Sequence, residues 1–212
     1  MSESARFNMI EAQIRTSAVT DQRVLAAMGA VARERFVPGA KKALAYADVP
    51  VEVAPGRFLL DPRSFAKALQ LAEVTAQDRV LDVGCATGYS SAVLARMAGR
   101  VVALEQDAGL VRIASELLAD TPVEVAQGAL IEGFKSGGPY DVILINGAIE
   151  QSPETLLAQL AEGGRLVTVM RENGQARAWL FLKEHGGTGR RPDFDAEVPL
   201  LAGFKKAVGF VF

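Results

Sequence analysis

The chain has 212 residues, of which 50% are hydrophobic and 23% are charged, with a formal net charge of -2. This composition is typical of a folded globular protein, and it excludes a disordered chain and a general attraction to nucleic acid or to an anionic membrane. The single cysteine, Cys85, and the single histidine, His185, exclude an intrachain disulfide and a Cys/His zinc site, so we expect no metal.

The sequence shows neither a targeting signal nor a membrane span. Glu3 and Arg6 interrupt the amino terminus, and no apolar signal region follows them. No stretch approaches the roughly 18 uncharged apolar residues that a spanning helix needs. We therefore predict a cytoplasmic protein with no membrane and no nucleic-acid partner.

The first part of the chain, residues 1–75, is predicted to be a helical segment with irregular connections. Ile10 and Ile14 have helical spacing, whereas four prolines between positions 38 and 62 keep the helices short. Asp61 and Pro62 indicate a helix start, because Asp can cap free backbone N–H groups and Pro suits the first helical position.

Short apolar runs alternate with helical periodicity from position 76 to position 170, the predicted cofactor-binding core. This alternation predicts an α/β fold with a doubly wound, mostly parallel sheet that helices cover on both faces. The predicted strands are 80–83, 101–104, 123–125, 142–145 and 166–169, and the predicted helices are 91–98, 110–118 and 154–160.

The last part, residues 171–212, is predicted to add an antiparallel strand pair. Apolar residues at 179–182 and 208–212 indicate two strands, and the glycine-rich stretch 185–192 between them indicates a flexible loop. The three parts together form one predicted domain.

A glycine turn follows the first predicted strand of the sheet. The sequence Gly84-Cys85-Ala86-Thr87-Gly88 leads into a helix at the edge where open α/β sheets bind ligands. A dinucleotide fingerprint would need glycine where Ala86 and Tyr89 stand, which disfavours an NAD-linked oxidoreductase. The charge of Asp82 opposes a phosphate, and it suits the ammonium and sulfonium groups of S-adenosylmethionine.

Further polar residues lie at neighbouring strand ends. Glu105 ends the second strand about twenty residues after the turn, where an acidic side chain can accept hydrogen bonds from ribose hydroxyls. Gln127 is a candidate for contacts with adenine, and Asn146 ends the fourth strand. The alternative is a glycine turn with a purely structural role. The candidate cofactor-binding residues are Asp82, Gly84, Cys85, Ala86, Gly88, Tyr89, Glu105, Gln106, Gln127, Gly128 and Asn146.

Several segments between Ile10 and Val169 form a recognisable set. They are Gln13-Ile14-Arg15, residues 21–28, Arg33-Glu34-Arg35-Phe36-Val37-Pro38, residues 81–89, Pro139-Tyr140-Asp141-Val142-Ile143 and residues 156–167. Together they resemble the protein-L-isoaspartate O-methyltransferase family. The resemblance implies a Rossmann-like class I methyltransferase fold, S-adenosyl-L-methionine as cofactor with S-adenosyl-L-homocysteine as product, and no metal. It also implies methyl transfer to the α-carboxylate of L-isoaspartyl residues, which starts protein repair.

The predicted acceptor loop departs from the pattern of that family. The family has Gly-Gln-Thr-Ile-Ser-Gln-Pro, with the serine at the methyl-acceptor site, and this chain has Gly56-Arg57-Phe58-Leu59-Leu60-Asp61-Pro62. Leu60 has no hydroxyl to bind a carboxylate, Asp61 would repel one and Arg57 would attract one. Gln127 also stands where the family usually has Asp. The candidate acceptor-loop residues are thus Arg57, Leu60 and Asp61, and no catalytic residue is assigned.

The resemblance leaves the acceptor open. The first hypothesis is a methyltransferase that acts on a carboxylate of a protein, a peptide or a related small molecule. The alternatives are a methyltransferase with a different acceptor and a non-catalytic S-adenosylmethionine-binding protein. Because Leu60 replaces the serine, we expect weak turnover of isoaspartyl substrates.

Overall fold

The amino-terminal segment is helical and contains one small hairpin. The computed structural model describes residues 2–206. This segment also has short 3₁₀ turns at Arg15–Ser17, Arg33–Phe36 and Gly39–Leu44. Its main elements are α1 (Ser2–Asn8), a π-helix (Met9–Ile14), α2 (Gln22–Ala30), β1 (Val51–Ala54), β2 (Arg57–Leu59) and α3 (Pro62–Ala72).

The start of α3 is confirmed, whereas the β1–β2 hairpin was not predicted. Asp61 Oδ1 accepts a hydrogen bond from the Ser64 backbone N at 2.8 Å, and Pro62 is the first helical residue. The two hairpin strands have only four and three residues, which is too short for an alternating pattern to show. The hairpin matters because it carries Arg57 to the edge of the main sheet.

Within residues 2–206 the main sheet has seven strands, and its five parallel strands are the ones that the sequence predicts. The spatial order is β5-β4-β3-β6-β7-β8-β9. The first five strands in this order pair in parallel, and β8 and β9 are antiparallel additions, so the predicted fold class is confirmed. The strands are β3 (Arg79–Val83), β4 (Arg100–Glu105), β5 (Val123–Gln127), β6 (Tyr140–Ile149), β7 (Leu160–Glu172), β8 (Gln175–Glu184) and β9 (Gly187–Asp195).

Side chains of the parallel strands alternate between two buried clusters. Val80 and Val142 belong to one cluster, and Leu81 and Ile143 belong to the other. This alternation explains the continuous apolar runs in the sequence, because both faces of the sheet are covered. The helices that follow these strands are α4 (Tyr89–Leu94), α5 (Ala108–Leu117) and α6 (Glu154–Leu157).

Two expectations for the later part of the chain were wrong. The stretch 185–192 is not a loop, because only His185 and Gly186 form the turn and β9 then pairs with β8. The predicted helix 154–160 ends at Leu157, because β7 begins at Leu160. The predicted strand 208–212 lies outside the described residues.

The chain then runs back across the carboxyl ends of the strands, in a part that we call the return segment (residues 196–206). The backbone N of Ala148 donates to Pro199 O, and Leu201 N donates to Ala148 O, both at 2.8 Å. Leu201 and Phe204 are buried. The return segment therefore packs directly against the edge of the sheet that holds the candidate site. Among residues 2–206, no helix is long and apolar enough to cross a membrane.

Candidate functional site

Backbone hydrogen bonds hold the glycine turn against β4, and one bond within the turn runs from Gly88 N to Cys85 O at 2.8 Å. Leu104 O, at the end of β4, accepts bonds from Gly84 N at 2.9 Å and from Cys85 N at 3.2 Å. Gly84 and Gly88 have φ values of 77° and 95°, in the left-handed region that glycine adopts without steric cost. The turn is thus a rigid link between β3, β4 and α4.

Asp82, on the strand that leads into this turn, is buried in a polar network. Its Oδ2 accepts bonds from the hydroxyls of Ser90 at 2.6 Å and Ser91 at 2.5 Å, and its Oδ1 accepts one from Asn146 Nδ2 at 2.5 Å. Burial raises the pKa of the Asp82 carboxyl, and these hydrogen bonds partly offset the rise. Asp82 and Asn146 therefore lie together, as the sequence suggests. In this conformation the Asp82 carboxylate accepts its hydrogen bonds from side chains of the protein.

Glu105 is fully buried at the end of β4, and both of its carboxylate oxygens have donors. Oε1 accepts bonds from Gln106 N at 2.8 Å and Asp107 N at 3.2 Å. Oε2 accepts one from Ala86 N at 2.9 Å and another from the guanidinium of Arg57, with which it forms an ion pair. Arg57 was expected at the acceptor, and it instead lies at the residue proposed for the ribose.

The candidates for adenine contacts lie at the rim of the same edge. Gln127 pairs with Glu105 in the β4–β5 register and is exposed, as is Gln106. Gly128 N donates to Glu105 O at 3.0 Å. These residues are therefore free to contact a ligand that lies beyond β4 and β5.

A buried arginine that the sequence reading did not single out organises the acceptor loop. Arg33 donates from Nε to Ala45 O at 2.7 Å and from Nη2 to Leu60 O at 2.6 Å, and its guanidinium lies 4.6 Å from the centre of the Tyr89 ring. Burial lowers the pKa of Arg33 and raises that of Tyr89. Arg33 thus fixes the backbone of the residue that replaces the family serine. In the sequence, Arg33 stood out only as the first residue of the segment Arg33-Glu34-Arg35-Phe36-Val37-Pro38, one of those that resemble the family.

The other acceptor-loop candidates are buried in structural roles. Leu60 is 8% exposed, and Asp61 is 5% exposed because its carboxylate caps α3. Cys85, within the turn, is also buried, and burial raises the pKa of its thiol, which disfavours a nucleophilic role.

A small cavity separates the acceptor loop from the glycine turn. Its volume is about 10 Å³, close to the space for one water molecule, and its lining includes Leu60 and Gly84. Three lining residues carry a buried polar atom without a hydrogen-bond partner: Arg33 Nη1, Tyr89 OH and Asn146 Oδ1. Polar groups therefore converge at the point where the two candidate regions meet.

The polar groups suit a nucleoside, but the space in front of the turn does not. A Cβ added to Gly84 would lie 3.0 Å from Leu201 Cδ1 and 3.2 Å from Arg57 Nη2, and one added to Gly147 would lie 2.9 Å from Leu201 Cβ. Side chains of the protein itself thus fill the close-approach surface that the glycines provide. S-adenosylmethionine does not fit this conformation unless Arg57 and Leu201 move.

Comparisons with known proteins assign the chain to a family. The family model described as "Protein-L-isoaspartate(D-aspartate) O-methyltransferase (PCMT)" matches residues 4–193, which include the glycine turn and the acceptor loop. The chain belongs to the protein-L-isoaspartate O-methyltransferase family. The resemblance of the sequence motifs to this family is therefore confirmed.

Members of the protein-L-isoaspartate O-methyltransferase family match most of the chain. The protein-L-isoaspartate O-methyltransferase of Koribacter versatilis (strain Ellin345) is 39% identical over 201 residues, which are 92% of this chain and 90% of that protein. The one from Rhodopseudomonas palustris (strain ATCC BAA-98 / CGA009) is 37% identical over 203 residues, which are 91% of each chain. Similarity at this level extends well beyond the cofactor motif.

Solved structures show the same fold. A protein-L-isoaspartate O-methyltransferase structure matches with a TM-score of 0.80 and 24% identity; the match covers 96% of this chain and 66% of that one. A Plasmodium falciparum protein described as a protein-L-isoaspartate O-methyltransferase, in complex with S-adenosyl-L-homocysteine, matches with a TM-score of 0.79 and 20% identity over 97% of this chain and 99% of that one. Both matches extend over nearly the whole chain, so the shared fold is not confined to the cofactor-binding core.

Proposed function

We propose that the chain is an S-adenosylmethionine-dependent methyltransferase that esterifies the carboxylate of an isoaspartyl residue in a protein or peptide. The observation that carries this proposal is the family match over residues 4–193. It includes the amino-terminal motif and the acceptor loop, and methyltransferases at large would share only the glycine turn. The family reaction is therefore favoured over that of an unrelated methyltransferase or an oxidoreductase.

The chemistry needs positioning more than it needs a base. A carboxylate acceptor is already ionised at neutral pH, so no side chain has to remove a proton from it. Holding the reacting atoms roughly 3–3.5 Å apart supplies much of the rate in such reactions. The buried Asp82, Asn146 and Glu105 lie together at the edge of the sheet where the cofactor would bind once Arg57 and Leu201 have moved. The Arg33–Leu60 hydrogen bond fixes the loop that would hold the acceptor.

An open groove beside the acceptor loop suits a peptide. Its volume is about 600 Å³, and Asp61 forms part of its wall. Arg63 and Lys67 contribute positive charges to the lining, whereas Asp195 and Glu197 contribute negative ones. A groove with both signs of charge fits a polar backbone segment that carries an additional carboxylate better than it fits an apolar ligand. We therefore assign the acceptor peptide to this groove.

The test is radiolabelled methyl transfer to a matched pair of peptides. One peptide contains L-isoaspartate, and the other has the same sequence with ordinary L-aspartate. With cofactor at about 1 mM, enough to occupy even a weak site, we expect base-labile label in the isoaspartyl peptide alone. Equal labelling of both peptides would contradict the acceptor class, and no labelling of either would contradict the proposed reaction.

A further inference from the structure

Glu105 has no acceptor capacity left for a ribose in this conformation. A carboxylate offers about four lone-pair sites, and Glu105 already accepts from three backbone N–H groups and from Arg57. The backbone donors belong to the glycine turn and to the residues that follow β4, so they cannot leave without unfolding the site. Arg57 is therefore the one donor that a ribose hydroxyl could replace.

Arg57 and Glu105 form a buried ion pair, but only one hydrogen bond joins their side chains. Only Nη2 of Arg57 bonds to Glu105, and the buried Nε has no partner, so the pair lacks the bidentate geometry of the most stable arginine–carboxylate pairs. Arg57 also begins the three-residue strand β2, next to the exposed Gly56 at the hairpin turn. Moving the Arg57 side chain away from Glu105 would thus disturb the small β1–β2 hairpin and leave the main sheet intact.

Leu201 closes the same space from the other side. The hydrogen bonds between the return segment and Ala148 hold its side chain against Gly84 and Gly147. It is 4% exposed, so it fills the cleft like a core residue. A polar contact from the β1–β2 hairpin and an apolar contact from the return segment therefore cover one surface.

We propose that Arg57 and Leu201 together determine access to the cofactor site. Arg57 takes the position on Glu105 that ribose hydroxyls require, and Leu201 takes the space against the glycines. S-adenosylmethionine binds only the fraction of molecules in which both contacts have opened, so the apparent affinity is lowered by that fraction. This inference rests on the proposed function and names the residues that tune its cofactor binding.

Calorimetric titration with S-adenosyl-L-homocysteine tests the inference. Arg57→Gln introduces the glutamine that the family segment has at this position, and Leu201→Ala opens the apolar contact. We expect each variant to bind at least about tenfold more tightly than the parent chain, because each raises the open fraction. The matched controls, expected to bind like the parent, are Arg112→Gln, at an exposed ion pair on α5, and Leu156→Ala, at a buried leucine on α6.

Stability separates a closing contact from a merely structural one. Removing the buried ion pair should lower the urea midpoint of Arg57→Gln while its affinity rises, whereas a structural role would lower both. Equal or weaker binding by both folded variants, beside measurable binding by the parent, would overturn the closure and leave the proposed function standing. If neither the parent nor any variant binds at about 1 mM ligand, both proposals fail.

Discussion

The glycine turn and the acceptor loop meet at one cavity, but their conformations have different origins. The turn from Gly84 to Gly88 is fixed by its backbone, through positive φ angles at its glycines and hydrogen bonds within the turn and to Leu104 O on the neighbouring strand β4. The acceptor loop is fixed by long-range side-chain contacts: Arg57 reaches a residue 48 positions away, and Arg33 binds the Leu60 carbonyl from 27 positions away. Local motifs therefore predict the turn well, and they leave the loop undetermined.

The largest expected effect comes from breaking the turn with Gly88→Ala. A Cβ there would lie 2.7 Å from Leu118 Cδ1 in the core, and the φ of 95° is unfavourable for alanine. We expect the free energy of unfolding to fall by about 3 kcal/mol in urea denaturation.

The matched control is Gly163→Ala. Gly163 has a φ of 74°, and a Cβ added there would have open space, with no atom within 4 Å. This variant should lose only the conformational part, about 1 kcal/mol. Equal losses in the two variants would mean that the close packing against Leu118 contributes nothing.

The second effect tests whether Arg33 controls the acceptor loop. Arg33→Lys keeps the charge but replaces the planar guanidinium, which presents separate nitrogens to Ala45 O and Leu60 O, with a single ammonium nitrogen. We expect a loss of about 2 kcal/mol in stability, because the two buried carbonyls no longer have separately placed donors. In peptide methylation assays, KM for the peptide should rise more than the Kd for S-adenosyl-L-homocysteine. Arg35→Lys, at an exposed position of the same turn, is the control and should change neither.

The third effect concerns the pH dependence of stability through Asp82. Its pKa in the folded protein is raised above the ordinary 3.8, so the folded state holds this proton to higher pH than the unfolded chain does. Between those two pKa values the unfolded state binds fewer protons, and stability falls as the pH rises. The unfolding free energy of the parent, measured relative to that of Asp82→Asn, should therefore decrease as the pH increases from 3.8. A pH-independent difference would contradict the raised pKa.

The site shows how far sequence reasoning extends. The five parallel strands, the turn, Asp82 and Glu105 follow from patterns within short windows, and the structure brings these residues to one edge of the sheet. Arg57 was assigned to the acceptor because its neighbours in sequence belong there, yet charge complementarity with buried Glu105 decides its direction. The glycine-rich composition of 185–192 suggested a loop. The structure has a strand there, and cross-strand contacts such as Arg190 over Trp179 support it in a way that composition does not reveal.

The smallest expected effect concerns the single hydroxyl that the family serine would add to the acceptor loop at position 60. Leu60→Ser introduces the serine that the family segment has at this position, and Leu60→Ala is the matched control because it shortens the side chain without adding the hydroxyl. Both variants should be destabilised by about 2 kcal/mol, since Leu60 is only 8% exposed. If the loop backbone held by Arg33 already has the family geometry, the serine variant should exceed the alanine variant several-fold in kcat/KM for an isoaspartyl peptide, which corresponds to about 1 kcal/mol of hydrogen bonding. Equal kcat/KM in the two variants would mean that the acceptor carboxylate does not reach position 60, and that the loop differs from the family pattern in its path as well as in its side chains.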